Sequence, residues 1–225
     1  TMTFSCIVIA SVAFIGFGFY KINRFDVIRT KGIIIEDEKG RDRILIGAPI
    51  PYSKDRVRTD SIKVKQHWAP SFGKESKNYM KYYKDYNHAT DGIVIMNAEG
   101  FDRILVGDKL ADPNTGKKMF ESAGITWNDT KGWELGGAGV NTSADGMSRA
   151  VIGLDDPKST NEAVHLVALE DGTKALIIGN ENGRLIIGMS NTDSSLLQNK
   201  GAFTGVKYFD REGQQVWEQQ MNLSK

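Results

Sequence analysis

The sequence contains very little cysteine and no short histidine or cysteine motif. Of its 225 residues only Cys6 is a cysteine, which excludes a disulfide bond within the chain. The three histidines, His67, His88 and His165, lie in unrelated segments without the close spacing typical of metal ligands. We therefore expect no metal site and no cofactor.

The motifs that usually accompany nucleotide binding or nucleophilic catalysis are also absent. There is no G-x4-G-K-[ST] loop, no strand–GxGxxG–helix unit and no G-x-S-x-G turn. Adjacent carboxylates such as Asp155 and Asp156 lie at expected turns, where side-chain bonds to the backbone explain them. The sequence favours a protein that is not an enzyme; a hydrolase with unrecognised carboxylates is the alternative.

Charge is nearly balanced overall but unevenly distributed. Residues 21–90 contain 16 Lys and Arg against 9 Asp and Glu, a balance of +7, and residues 91–225 have a balance of −6, which together give the net +1. The basic half follows the N-terminal apolar segment, so anionic headgroups or an acidic partner are possible neighbours. A charged surface with no partner is the alternative. We expect no nucleic-acid partner.

The longest apolar segment is N-terminal. Phe4 to Tyr20 carries no charge, and with its flanks it reaches the roughly 20 residues that span a bilayer. We predict a single transmembrane helix over residues 1–22; a cleavable signal peptide is the alternative. The predicted membrane-anchor residues are Phe4, Ile7, Val8, Ile9, Val12, Phe14, Ile15, Phe17, Phe19 and Tyr20.

Two observations on the side of the membrane where residues 23–225 lie point in opposite directions. Lys21 and Arg24 directly follow the apolar segment, which favours a cytoplasmic position for what comes next. One N-terminal anchor followed by a large β-rich domain more often delivers that domain across the membrane. We therefore expect a single-pass cell-membrane protein with residues 23–225 outside the cytoplasm, in the periplasm.

A short template recurs along the rest of the chain. "GIIIEDEKGRDRILIG" at 32–47 aligns without a gap with "GIVIMNAEGFDRILVG" at 92–107. The shared pattern G-x4-[DN]-x2-G also starts at Gly124 and at Gly205. Looser relatives are "LVALEDGTKALIIG" at 166–179 and "NENGRLIIG" at 180–188. Strand-forming residues, a turn-forming Asp or Asn and a glycine that takes positive φ together predict a β-hairpin. We interpret the three fixed positions of the template, the first glycine, the Asp or Asn and the second glycine, as residues that the hairpin turn requires.

The returning strands indicate how the hairpins pack. Segments such as Ile44–Ile46 and Ile104–Val106 have three consecutive apolar residues. In a strand with one solvent-exposed face, apolar and polar residues alternate instead. We therefore expect both faces of the sheet to be covered at these points. The predicted fold is all-β, with repeated antiparallel hairpins in a sandwich or stacked roll, and a partner supplies any cover that the chain lacks.

The region from about residue 51 to 91 interrupts the hairpins and is rich in tyrosine and lysine. Lys74 to Tyr86 predicts a short helix, because four tyrosines recur at helical spacing. This aromatic stripe either packs against the β-domain or contacts a partner. The candidate contact residues are Trp68, Tyr79, Tyr82, Tyr83 and Tyr86.

Two tryptophans flank the third copy of the template. Trp127 and Trp133, in "ITWNDTKGWELGG", are candidate ligand contacts, since exposed aromatic rings stack on sugars. A cross-strand pair that stabilises the hairpin is the simpler alternative. An envelope module that binds a glycan through these residues and Trp68 is therefore the second functional hypothesis.

The sequence of the repeat resembles that of a group of bacterial envelope proteins. "KGIIIEDEKGRDRILIG" and "DGIVIMNAEGFDRILVG" are similar to their strand–(D/E)-x-G–strand units, which follow an N-terminal apolar segment. The resemblance covers about half of the β-region. Because no activity is assigned to this group, the resemblance gives neither an activity nor functional residues for this chain. Our leading hypothesis is a non-enzymatic, membrane-anchored accessory or scaffolding subunit of a larger membrane complex, with lipid and other subunits as its partners.

Overall fold

The computed structural model describes residues 27–83, 88–112, 121–144, 146–158 and 162–221. The chain divides into two units, residues 1–31 and 32–225. Of the first unit only residues 27–31 are described, and they are irregular and exposed. The predicted anchor lies outside the described residues. Within the described part, no helix is long and apolar enough to cross a membrane.

The second unit is built around one antiparallel sheet. Each of its twelve described strands pairs with the next one along the chain, so sheet order equals chain order and β1 and β12 form the edges. The strands are β1 (Gly32–Glu36), β2 (Asp42–Gly47), β3 (Asp91–Met96), β4 (Asp102–Asp108), β5 (Glu121–Asn128), β6 (Glu134–Thr142), β7 (Ser148–Asp155), β8 (Glu162–Leu169), β9 (Lys174–Asn180), β10 (Gly183–Ser190), β11 (Phe203–Asp210) and β12 (Gln215–Gln220).

The all-β prediction is confirmed. The described strands form a single open sheet, so they do not by themselves supply the second layer of a sandwich.

The hairpin turns are those that the template predicts. In the first copy, Asp37 accepts hydrogen bonds through its side chain from the backbone N–H groups of Lys39 and Arg41, and Gly40 closes the turn at φ 69°. Asn97, Asp129 and Asp210 occupy the same position in the other copies. The looser copy at 166–179 has the same backbone turn, with Leu169 at the position of Asp37. The side chain of Asp171, two residues later, accepts from the N–H of Thr173.

The first glycine of the template has a different role from the one predicted. Gly92 lies inside β3, directly opposite Gly107 in β4. A Cβ atom on Gly92 would lie 2.7 Å from the Cα of Gly107 and would collide with the carbonyl oxygen of Val106. Gly124 and Gly139 approach each other in the same way. This glycine is therefore required by the neighbouring strand and not by the turn.

These glycines belong to one row that crosses the whole sheet. The row reads Gly32, Gly47, Gly92, Gly107, Gly124, Gly139, Val151, Val167, Ala175, Gly188, Gly205 and Gln220. Because residues paired across strands lie on the same side of a sheet, this row identifies one face. We call it the covered face, since the cover segments described next pack on it, and the opposite side the open face.

The segment between β2 and β3 supplies the first cover. Its described residues form two α-helices, α1 (Ser61–His67) and α2 (Ser76–Tyr83), and 3₁₀ turns at Val57–Thr59 and Ala69–Glu75. Asp60 caps α1 by accepting bonds from the N–H groups of Ile62 and Lys63. The helix predicted from Lys74 is confirmed over Ser76–Tyr83, whereas α1 was not predicted.

Among the described residues, three buried apolar clusters stabilise the unit. One consists of Leu45, Ile50, Val94, Met96, Leu105 and Leu110, on the covered face of β2–β4. A second consists of Val167, Ala175, Ile186, Leu197, Phe203 and Phe209, where the 191–202 loop covers β8–β11. The third joins the helical segment to Phe101 and Trp133, beside two hairpin turns. The described segments thus cover one face of the sheet in two separate places.

A buried ion pair fastens the helical cover to the sheet. Nε and Nη2 of Arg56 donate to the two carboxylate oxygens of Asp102 over 2.9 and 2.7 Å, and Nη1 donates to the carbonyl of His88. Both side chains are almost fully buried. The two-point geometry orients the segment on β4 as well as holding it there.

Candidate functional site

The open face of the sheet is apolar across all twelve strands. The register places two central rows on it. One row reads Ile33, Ile46, Ile93, Val106, Ile125, Ala138, Ile152, Leu166, Leu176, Ile187, Val206 and Gln219, and the other reads Ile35, Ile44, Ile95, Ile104, Trp127, Gly136, Leu154, Val164, Ile178, Leu185, Tyr208 and Trp217. Neither row contains a charged residue.

Neighbouring residues show how differently the two faces are covered. In β10, Ile186 on the covered face has no exposed surface, whereas Ile187 on the open face is 45% exposed. In β8, Val167 is 4% exposed and Leu166 is 50% exposed. The same side-chain chemistry is therefore buried on one side and half-solvated on the other. Contiguous apolar surfaces of this kind are rare on monomeric soluble proteins and mark interaction sites.

The open face is concave over β6–β11. A depression of about 680 Å³ is lined there mainly by aliphatic side chains, including Ile152, Leu166, Ile187 and Met189, with Met221 just past the end of β12. Depressions this large and this apolar are suited to receiving side chains from a partner. Polar groups that could orient a small ligand are sparse in it, since Lys174 and Thr204 lie in the outermost row.

A separate polar recess lies on the covered face, over β5–β7. It has a volume of about 330 Å³, and strand glycines, including Gly124 and Gly137, contribute to its lining. Its polar lining residues are Asp112, Ser122, Thr126, Glu134, Asn141, Arg149, Asp155 and Glu162. Sequence reasoning did not bring these carboxylates together, because they come from four different segments whose proximity depends on strand register.

Burial raises the pKa of two carboxyl groups in the recess. The pKa of Glu134 rises to about 8, mainly because burial disfavours its charged form and secondarily because Asp112, Asp155 and Glu162 are nearby. The pKa of Asp155 is also raised, for the same kinds of reason. Glu134 is therefore mostly protonated at neutral pH and can donate a hydrogen bond. No group of three metal-ligating side chains occurs among the residues that the structure describes.

The candidate partner contacts around the tyrosine-rich helix are mostly interior. Trp68, Tyr79 and Tyr83 are all buried in the third cluster, and the guanidinium of Arg58 lies 3.3 Å from the ring of Trp68. The Tyr83 hydroxyl donates to the carbonyl of Arg58. These three rings therefore pack within the chain and offer no exposed contact surface. The ring of Tyr82, and Tyr86 as a whole, lie outside the described residues.

The two candidate ligand-binding tryptophans do not form one platform. Trp133 contacts Trp68 with ring centroids 5.1 Å apart and packs in the third cluster. Trp127 lies on the open face opposite Gly136, where a Cβ would come within 2.7 Å of its Nε1. The two tryptophans do not form a cross-strand pair either, since the cross-strand neighbour of Trp127 is this glycine.

Comparisons with known proteins give no relatives from which a site could be transferred. No family model matches the chain, and neither a curated protein nor a solved structure matches it.

Proposed function

We propose that the chain is a non-enzymatic accessory or scaffolding subunit of a membrane-associated assembly, and that its open face is the surface that binds other protein. The observation that carries this proposal is the uncharged, partly exposed double row across the twelve described strands. Leaving so much apolar surface in water is unfavourable by about 25 cal/mol for each Å². Covering it with protein removes that cost.

The remaining parts of the proposal come from the sequence. The apolar segment at residues 4–20 anchors the chain in a cell membrane, with lipid as its first partner. The β-unit lies outside the cytoplasm, as in the bacterial envelope proteins that the repeat resembles. Protein binding through a broad apolar face needs neither a metal nor a cofactor.

Labelling in native membranes tests this function. A Leu166→Cys variant, in a background where Cys6 is replaced by serine, places a thiol at the centre of the open face. We expect this thiol to resist a water-soluble maleimide in intact membranes and to react after solubilisation in denaturant. Ile62→Cys is the matched control, since Ile62 lies on α1 and is 74% exposed. Equal, rapid labelling of both variants in membranes would refute a covered open face.

A second candidate function is recognition or hydrolysis of a polar ligand at the recess. It is favoured by the protonated Glu134 beside ionisable carboxylates, an arrangement that general acids share. Thermal shifts measured with a panel of oligosaccharides and polyamines, on the unmodified chain and on Glu134→Gln, test it. A shift that is lost in the variant supports this candidate, and the same shift in both proteins places binding elsewhere.

A further inference from the structure

We propose that the partner on the open face is a second copy of the same chain, so that two sheets pack face to face and bury the open faces that the described residues of one chain leave exposed. This inference rests on the proposed function, because it names the protein that the open face binds. It also accounts for the expected sandwich, which the described strands of one chain do not complete.

The available area is sufficient for a stable dimer. Twelve strands at the usual spacing and three rows of side chains give a face of about 55 by 20 Å, or on the order of 1,000 Å² for each chain. Stable interfaces need about 800 Å² per partner, and obligate homodimers are larger and more apolar. Aligned sheets normally pack with apolar side chains interdigitated about 10 Å apart.

The chemistry of the face suits contact with itself. In a two-fold dimer the same surface occurs on both sides, so like charges at its centre would repel. The two central rows contain no charge, and their residues are mainly Ile, Leu and Val. A polar partner would leave these side chains without complementary contacts, whereas an identical row provides them.

The strand order defines one simple symmetric arrangement. A two-fold axis parallel to the strands, between β6 and β7, places β4 of one copy over β9 of the other. In the outer row of the open face, β4 carries the exposed Asp108 and β9 carries the exposed Lys174. Each acidic residue is thereby brought towards a lysine of the other copy. The same axis brings the β1 edge of one chain towards the β12 edge of the other.

The decisive experiment measures the mass of the full chain, expressed alone and purified in detergent. We expect two chains for the unmodified protein and for Ile62→Glu on α1, and one chain for the double variant Leu166→Glu, Ile187→Glu. Circular dichroism checks that the double variant keeps its strands. A single chain for the unmodified protein at micromolar concentration, three or more chains, or a double variant that stays dimeric would each overturn the proposal.

Cross-linking keeps the proposal testable if the double variant does not fold. Ile152 lies in β7, next to the proposed axis, so Ile152→Cys in the Cys6→Ser background brings two thiols together. We expect a short bis-maleimide to join two copies of this variant and not two copies of Ile62→Cys. Equal yields for both would overturn the arrangement.

Charge exchange tests the orientation of the two copies. Asp108→Lys alone should weaken dimerisation about three- to fivefold, as expected for an exposed pair, and adding Lys174→Asp should restore it. Additive weakening in the double exchange would overturn the two-fold axis. Protected Leu166→Cys in membranes together with a monomeric purified chain would leave the proposed function intact and refute self-association alone.

Discussion

The two faces of this sheet are built from similar residues and differ in what lies over them. On the covered face, Leu45 and Ile186 have no exposed surface. Leu45 packs with Ile50 from the segment between β2 and β3, and Ile186 packs with Leu197 from the 191–202 loop. On the open face, side chains of the same kind are partly exposed, and the most exposed, such as Leu166, keep about half of their surface in water. The comparison teaches that apolar composition alone does not locate a protein's interior, since the location of the cover decides it. The following variants test the difference, starting with the largest expected effect.

The largest effect should come from detaching the helical cover. Asp102→Asn leaves the buried guanidinium of Arg56 without its ion-pair partner, and such losses cost about 3–5 kcal/mol of the free energy of unfolding. Urea denaturation monitored by tryptophan fluorescence measures it. Glu99→Gln, which breaks an exposed pair with Lys131, is the control and should cause no measurable loss. Equal effects would mean that the buried pair does not secure the cover.

Truncation of adjacent isoleucines compares the faces directly. Ile186→Ala should lower the free energy of unfolding by about 2–5 kcal/mol, because it opens a cavity in the covered face. Ile187→Ala should cost about 1 kcal/mol in the dissociated chain, since half of its side chain is already solvated. Chemical denaturation at two protein concentrations measures both. If the cost for Ile187 does not grow with concentration, self-association does not cover this residue.

The glycine row gives a smaller effect with a close control. Gly92→Ala should cost about 1–3 kcal/mol, because the added methyl group collides with backbone atoms of β4. Gly153→Ala, on the same face in β7, has no atom within 4 Å of its new Cβ and should be neutral or slightly stabilising. Thermal melting of both variants checks this. A destabilised Gly153 variant would show that strand glycines are needed for another reason.

The polar recess predicts that the free energy of unfolding depends on pH. The Glu134 carboxyl titrates near 4.5 when unfolded and near 8 when folded, so the unfolded state binds fewer protons between these values. The free energy of unfolding should therefore fall as the pH rises through this window, by at most about 1.4 kcal/mol for each pH unit. Denaturation at pH 5, 6, 7 and 8 measures the slope. Glu134→Gln should flatten it, and an unchanged slope would contradict the assignment.

The sequence predicts features that depend on neighbouring residues, and it does not predict contacts between distant segments. The turns at Asp37, Asn97, Asp129 and Asp210 depend on hydrogen bonds within five residues, so their spacing predicts them. The role of Gly92 depends on a residue in the next strand, and the recess depends on four segments. The three-residue apolar runs did indicate that both faces need a cover. They could not indicate which of the two faces the described residues leave exposed.

The strict next-neighbour order of the strands has a consequence for how the unit opens and grows. Each strand depends on the one before it and the one after it, so stability resembles a linear sum of adjoining interfaces. Amide exchange should then be fastest at β1 and β12 and slowest towards the middle. The same linearity means that a hairpin could be added at either end without rearranging the others. The length of the sheet is therefore an adjustable property of this architecture.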